Sequence, residues 1–208
     1  TENFVKNLEL DETLGQLLVA EGFSSIDEIK DSSTEVLMKI EGIEEETAKE
    51  LINSETSNPI IYNLLGASYS FVNMHENAIG AFQNAARLDT NNEEIYRNLG
   101  KSYSKLREDK KAYEYFEKAT TIKPDNADAV FGIGLLKLKE KKFKASIDKF
   151  SLAIQYNKNF YQAYYNRAIA ENFIGNISEA QNSYLEAIRI NNNYYQAYNN
   201  LGAILIKI

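Results

Sequence analysis

Small residues recur every 34 positions along most of the chain, and aromatic residues recur in phase with them. The small residues are Gly66, Gly100, Gly134, Ala168 and Gly202. Aromatic residues four positions earlier are Tyr62, Tyr96, Tyr164 and Tyr198, and those sixteen positions later are Phe82, Phe116, Phe150 and Tyr184. Because a glycine inside a helix costs about 1 kcal/mol relative to alanine, its recurrence at one phase needs a packing reason. The pattern predicts pairs of antiparallel helices that approach closely at the small residues, beside aromatic rings.

Polar and helix-breaking residues separate these units. The borders are Asn58–Pro59, Thr90–Asn92, Pro124–Asn126, Asn157–Asn159 and Asn191–Asn193. Such residues favour helix ends and helix starts, so each unit is predicted to be a helix, a short turn, a second helix and a linker. We therefore predict an all-α fold. Its four full repeats span residues 59–92, 93–126, 127–160 and 161–194, and a partial fifth repeat spans residues 195–208.

The period and the residue types resemble the tetratricopeptide repeat (TPR). In the second repeat the matching residues are Tyr96, Leu99, Gly100, Tyr103, Ala112, Phe116, Ala119 and Pro124. The fourth repeat departs from the pattern, with Arg167, Ala168 and Glu171 in place of Leu, Gly and Tyr. This resemblance covers residues 59–208. It implies a right-handed α-solenoid that binds a protein or peptide partner.

The end of the sequence is unusually apolar for a terminal helix. Its apolar residues are Leu201, Ile204, Leu205, Ile206 and Ile208. A solenoid normally closes with a helix whose outer face is polar. We expect either that the natural protein continues beyond residue 208 or that this face forms a homodimer.

In the TPR family the first helices line the concave groove that holds a partner. The positions that this register selects are Arg97, Asn98, Lys101, Lys105, Phe131, Leu135, Tyr165, Asn166, Ile169, Phe173, Asn199 and Asn200. Asn98, Asn166 and Asn200 share one phase, and a carboxamide offers both a donor and an acceptor to a peptide backbone. Gly132 and Leu64 interrupt this ladder, and the general abundance of asparagine explains it equally well. The tyrosines of residues 161–165 and 194–198 fit either inter-repeat packing or stacking on a ligand, and packing is the more usual role.

Residues 1–55 differ from the rest of the chain in charge. They hold 15 Asp and Glu against 4 Lys, a net charge of −11, whereas the remaining residues hold 15 acids against 19 bases, a net charge of +4. The spacing of apolar residues and glycines over residues 8–54 predicts four short helices, with Ser32 and Glu35 forming a capping box at the third. The final pair resembles a helix-hairpin-helix.

The segments LDETL at residues 10–14, LLVAEGF at 17–23 and IEG at 40–42 resemble the acidic C-terminal repeat of the transcription elongation factor NusA. Such acidic repeats contact RNA polymerase or other proteins, so we expect a domain over residues 1–55 that is a second docking surface. Glu44 and Glu46 stand where a DNA-binding hairpin usually has a glycine and a cation, which disfavours phosphate binding. A stabilising cap on the first repeat is the alternative role.

The composition argues against several other functions. The chain has no cysteine and one histidine, so neither a metal nor any other cofactor is expected. No run of about 18 apolar residues is present. The repeat region is only mildly basic and lacks a dense Lys/Arg stripe. We expect a cytoplasmic protein that binds neither a membrane nor nucleic acid. No phosphate loop or nucleophile elbow is present, which indicates that the chain is not an enzyme. The alternative is that the repeats recruit substrates for a larger glycosyl- or sulfotransferase.

Overall fold

The computed structural model describes residues 21–23, 28, 31–39 and 59–206, and every regular element in these residues is an α-helix. The helices are α1 (Thr34–Leu37), α2 (Pro59–Phe71), α3 (His75–Leu88), α4 (Glu93–Lys105), α5 (Asp109–Ile122), α6 (Ala127–Lys139), α7 (Phe143–Tyr156), α8 (Tyr161–Phe173), α9 (Ile177–Ile190) and α10 (Tyr195–Leu205). First helices begin at 59, 93, 127, 161 and 195, and second helices begin at 75, 109, 143 and 177. The predicted all-α repeat architecture is confirmed.

The chain divides into two compact units, residues 1–108 and residues 109–208. In the first unit α2 packs against α3, and α3 packs against α4. In the second unit each helix from α5 to α10 packs against the next. Contacts between sequential neighbours are typical of an α-solenoid, because each helix pair buries its apolar face against the adjacent pairs.

Within a repeat, the aromatic ring of the second helix lies against the glycine of the first helix. A Cβ atom added to Gly66 would lie 2.5 Å from the Phe82 ring, and one added to Gly134 would lie 2.6 Å from the Phe150 ring. Both rings are fully buried. Since no side-chain carbon fits at such distances, only glycine allows this helix spacing. The packing reason predicted for the recurrent glycines is observed in these two repeats.

The turn between the two helices of each repeat contains one left-handed residue at a fixed phase. These residues are Asn73, Arg107, Lys141 and Gly175, with φ angles of 63°, 62°, 59° and 81°. In the first turn, the backbone N–H of Met74 donates to the carbonyl of Tyr69 at 2.8 Å, and the same bond recurs in the other three turns. This Schellman closure satisfies carbonyl groups that the helix end leaves without partners. It offsets the left-handed conformation, which costs a residue other than glycine about 1–2 kcal/mol.

The fourth repeat replaces part of its apolar core with a polar cluster. Glu171 is 7% exposed and accepts a hydrogen bond from the Ser183 hydroxyl at 2.7 Å. The Nε atom of Arg167 lies 3.3 Å from a Glu171 carboxylate oxygen and donates to Ser183 at 3.1 Å. Arg167 also lies over the Tyr164 ring, 5.3 Å from its centroid. The buried carboxylate is therefore both paired and hydrogen-bonded, which is the condition under which a buried charge is tolerated.

In the N-terminal segment, the predicted capping box of Ser32 and Glu35 is wrong. Ser33 is the N-cap of α1, and its hydroxyl accepts a hydrogen bond from the backbone N–H of Val36 at 3.3 Å. Ser32 instead donates its hydroxyl to the backbone carbonyl of Glu28 at 2.9 Å. Ser33 has the spacing that places a cap oxygen near the third helical N–H. The other helices predicted for this segment lie outside the described residues.

Replacing Gly134 by alanine should destabilise the protein although alanine is the better helix former. The new Cβ would lie 2.6 Å from the buried Phe150 ring. Overpacking of this kind costs about 1–3 kcal/mol, which exceeds the gain in helix propensity of about 1 kcal/mol. We expect the urea midpoint of unfolding to fall.

Gly202→Ala is the matched control for Gly134→Ala. Gly202 has the same phase in its repeat, and nothing lies within 4 Å of the position that its Cβ would take. Its urea midpoint should stay unchanged or rise, because only the helix propensity changes. Equal midpoint shifts for the two variants would contradict the packing role of Gly134.

Arg167→Leu should destabilise the protein more than Arg167→Leu combined with Glu171→Tyr. The single change leaves the buried carboxylate without its cation, which costs about 3–5 kcal/mol in a fully buried pair. The Arg167 side chain is 22% exposed, so we expect a loss of roughly 2–3 kcal/mol. The double variant removes both charges, so its free energy of unfolding, measured in urea, should lie within about 1 kcal/mol of that of the wild type. A double variant as unstable as the single one would contradict this account.

Candidate functional site

The predicted groove residues lie on first helices in both units. Arg97, Asn98, Lys101 and Lys105 are on α4 in the first unit, and Phe131, Leu135, Tyr165, Asn166, Ile169, Phe173, Asn199 and Asn200 are on α6, α8 and α10 in the second. Lys101 and Lys105 are exposed, as are Leu135, Phe173 and Asn199. These five side chains are therefore accessible to a partner.

Two of the asparagine side chains each donate a hydrogen bond to a residue 35 positions earlier, which lies on the preceding first helix. The Nδ2 atom of Asn98 donates to Oδ1 of Asn63 at 3.2 Å, and that of Asn200 donates to the Tyr165 hydroxyl at 3.1 Å. Arg97 also donates to the Asn98 carboxamide oxygen, at 3.4 Å. A carboxamide has two N–H donors and two acceptor lone pairs. Each of these asparagines therefore stabilises its own unit and retains hydrogen-bonding capacity.

The asparagine series is interrupted at Gly132 for a steric reason. A Cβ at this position would lie 2.5 Å from the Phe116 ring, so an asparagine does not fit. Asn166 also differs from its counterparts, because the residue 35 positions earlier is Phe131, whose ring packs against other phenylalanines. Asn166 donates instead to the backbone carbonyl of Gln162 at 2.8 Å. The shared phase of the asparagines therefore does not give them a shared set of contacts.

A pocket of about 320 Å³ lies between α8, α9 and α10. Its lining residues are Ile169, Asn172, Phe173, Ile177, Tyr184, Asn200, Ala203 and Ile204. Ile169, Phe173 and Asn200 belong to the predicted groove, and Tyr165 is joined to the lining by its hydrogen bond with Asn200. Sequence reasoning missed the other five lining residues. The lining contains no Asp, Glu, Lys or Arg, so the pocket suits an uncharged group.

Tyr184 stands at a phase where the other full repeats have phenylalanine, and the sequence pattern assigned it to the core. It is 1% exposed, and its hydroxyl accepts a hydrogen bond from Asn200 at 3.4 Å. The pKa of Tyr184 is raised to about 12, chiefly by burial and in smaller part by nearby Tyr165 and Glu171, while the Asn200 hydrogen bond lowers it. The hydroxyl is therefore neutral near pH 7. A buried tyrosine hydroxyl needs a hydrogen-bond partner, so a tyrosine at this core position was a sequence signal for a polar neighbour.

The tyrosines of the fourth and fifth repeats divide into packed and exposed groups. Tyr161, Tyr164, Tyr165 and Tyr194 pack against the core of this region. The Tyr194 ring lies edge-on to the Tyr161 and Tyr165 rings, at centroid distances of 4.9 and 5.0 Å. The predicted packing role is confirmed for these four residues. Tyr195 and Tyr198 are exposed, with 70% and 48% of their surface accessible.

The apolar residues of α10 also divide by exposure. Ile204 is buried, whereas Leu205 and Ile206 are exposed. An exposed apolar surface of this kind is compatible with an interface. The homodimer through this face stays a prediction.

In the part of the chain that the structure describes, no group of His, Asp and Glu side chains is arranged to hold a metal ion. No helix in that part is sufficiently long and apolar to span a lipid bilayer.

Comparison with known sequences finds two kinds of relative. The tetratricopeptide repeat family model matches residues 93–126 and 161–194. The transcription termination/antitermination protein NusA of Rickettsia prowazekii (strain Madrid E) is 45% identical over 53 residues, and that of Rickettsia conorii (strain ATCC VR-613 / Malish 7) is 43% identical over 53 residues. Each match covers 26% of this chain and 10% of NusA, so the chain spans about a tenth of the length of these relatives.

Solved structures share the fold at low sequence identity. A crystal structure of MamA is 22% identical with a TM-score of 0.61, covering 71% of this chain and 86% of MamA. A MamA structure from Desulfovibrio magneticus RS-1, spanning residue 41 to the end, is 17% identical with a TM-score of 0.64. The match covers 72% of this chain and 84% of that MamA chain. YrrB, described as a TPR protein with an unusual peptide-binding site, is 22% identical with a TM-score of 0.60, covering 89% of both chains. The chain therefore contains tetratricopeptide repeats at residues 93–126 and 161–194 and carries a segment that resembles part of NusA.

Proposed function

We propose that the chain is a non-catalytic scaffold that binds an extended peptide or protein segment along the first helices of its repeats. The main support is the pocket between α8, α9 and α10, because it gathers Ile169, Phe173 and Asn200 from the predicted groove. YrrB, which has the same fold, is described as having a peptide-binding site. The alternative role, recruitment of substrates for a transferase, stays a hypothesis.

The chemistry of this surface suits a peptide. Apolar side chains around the pocket bury an apolar side chain of the ligand, while the carboxamides of Asn172 and Asn200 offer hydrogen bonds to its backbone. Phe173 is 66% exposed and Leu135 is 36% exposed, both on first helices. Covering such apolar surface releases water and stabilises a complex.

Peptide binding should depend on the exposed apolar side chains of the first helices. We suggest panning a library of random dodecapeptides on the immobilised chain and measuring the affinity of enriched peptides by fluorescence anisotropy. The double variant Leu135→Ser with Phe173→Ser should bind them about tenfold or more weakly, because it removes two exposed apolar contacts. The matched control is Leu185→Ser, which alters a residue that is 51% exposed on the second helix α9.

Circular dichroism and urea unfolding should show that all these variants fold. Equal affinities of the folded double variant and the control would place binding away from the first helices. Failure to enrich any peptide would contradict the scaffold itself.

We further propose that residues 1–55 form a second, acidic docking domain for a protein partner. Their net charge of −11 and the match to NusA support this role. A surface with this charge attracts basic protein surfaces and repels phosphate groups. RNA polymerase is the first candidate partner, because the acidic repeats that this segment resembles contact it.

The full chain should retain bacterial RNA polymerase on an affinity resin, whereas a chain lacking residues 1–58 should not. A chain in which these residues are scrambled at constant composition is the control, because it keeps the charge and removes the order of residues. Retention by the scrambled chain would show non-specific attraction. Absence of retention by the full chain would exclude polymerase as the partner.

A further inference from the structure

We propose that the second unit selects acidic segments that carry one aromatic side chain. The aromatic side chain occupies the pocket between α8, α9 and α10, and the acidic residues lie on an adjoining lysine edge. The lysine edge consists of Lys137, Lys139, Lys141, Lys142 and Lys144. This inference rests on the proposed scaffold function and narrows it to a ligand class.

The lysine edge is only partly neutralised by the protein itself. Residues 137–144 contain these five lysines and a single acid, Glu140, so the segment has a net charge of +4. Glu140 pairs with Lys142 at 2.8 Å and lies 3.7 Å from Lys137, and Asp109 pairs with Lys139 at 2.6 Å. The remaining positive charge favours an anionic partner.

Lys141 and Lys144 carry most of this uncompensated charge. Both are exposed, and no carboxylate among the described residues forms an ion pair with either. Lys141 is also the left-handed residue of the turn between α6 and α7, so its backbone is fixed by the turn. A partner's carboxylate can therefore approach both ammonium groups without displacing an existing ion pair.

An aromatic stack joins the lysine edge to the pocket. Phe143 stands between Lys142 and Lys144 in the sequence. Its ring stacks on the Phe173 ring with a centroid distance of 4.8 Å and an interplanar angle of 7°. Phe173 in turn lines the pocket. The cationic and apolar parts of the surface therefore adjoin and can contact neighbouring residues of one peptide.

The pocket has the size and polarity for one aromatic side chain. An apolar cavity of about 150 Å³ holds a benzene ring, so a pocket of about 320 Å³ holds a phenyl or indole group. Ile169, Ile177 and Phe173 offer apolar and ring contacts to it. A carboxylate in this pocket would lose hydration without gaining an ion pair. Acidic residues are therefore excluded from the pocket and directed to the lysine edge.

The limited extent of the lysine edge favours a peptide over a nucleic acid. A protein that contacts about 6–10 phosphates needs more cations than the lysine edge offers, because this edge is confined to the end of α6, one turn and the start of α7. The adjoining pocket adds selection for a single side chain. A short acidic segment with one aromatic residue matches both features.

The test analyses the dodecapeptides that the full chain enriches from a random library, first by composition and then by affinity. Three variants are compared with the wild type. They are the charge reversal Lys141→Glu with Lys144→Glu, the pocket-filling change Ala203→Leu at an exposed lining position, and the control Lys123→Glu with Lys158→Glu at two exposed lysines elsewhere in the same unit. Circular dichroism checks that each variant folds.

We expect enriched peptides to combine Asp or Glu with one aromatic residue. The charge reversal and the pocket-filling change should each weaken their binding about tenfold or more, and the control by no more than about twofold. Added NaCl should weaken wild-type binding and have less effect on the charge-reversed variant.

The inference would be overturned if the enriched peptides did not combine an acidic residue with an aromatic one. It would also be overturned if the charge-reversed variant bound the enriched peptides as tightly as the wild type. Either result would leave the scaffold function standing. Absence of any enriched peptide would overturn both. A single-stranded oligonucleotide that binds the wild type and not the charge-reversed variant would assign the edge to nucleic acid and overturn the inference as well.

Discussion

The contact between an aromatic ring and a glycine sets the spacing of the helix pairs. Phe82 and Phe150 occupy the space that a Cβ would take at Gly66 and Gly134, sixteen positions earlier in each case. An insertion between the two helices would move the ring away from its glycine, so the turn length is constrained by the same contact. This constraint accounts for first and second helices that begin at one fixed period. The left-handed turn residues follow from it, because a short connection must reverse the chain.

The fourth repeat departs from this packing, and the pocket lies there. Ala168 carries the Cβ that Gly66 and Gly134 lack, and Tyr184 stands at the phase of Phe82 and Phe150. Tyr184 belongs to the same buried cluster as Ala168 and also lines the pocket. The polar cluster of Arg167 and Glu171 replaces apolar side chains in the same repeat. Departures from a repeat pattern mark sites where packing is exchanged for polar or open structure.

The sequence was sufficient to predict the helices and their period, because small and aromatic residues repeat wherever two backbones approach. It was not sufficient to predict the contacts of the asparagines. Their phase is visible in the sequence, but the partner of Asn166 depends on the ring of Phe131 and the gap at Gly132 depends on the ring of Phe116. Two of the four left-handed turn residues, Arg107 and Lys141, also lacked a signal, because glycine and asparagine are the residues that favour this conformation. Such features depend on tertiary packing, which local residue preferences do not describe.

In the proposed function, stability and recognition share the same side chains at the pocket. Asn200 donates to the hydroxyl groups of both Tyr165 and Tyr184, so its carboxamide is oriented in the absence of a ligand. Immobilising a flexible side chain on binding costs about 0.5–1.5 kcal/mol, and a side chain that is already fixed avoids this cost. The tyrosine hydroxyls that fix it are themselves held by ring packing against Tyr194 and the neighbouring core. In the proposed scaffold, the hydrogen bonds between first helices therefore prepare the surface for a partner while they hold the repeats together.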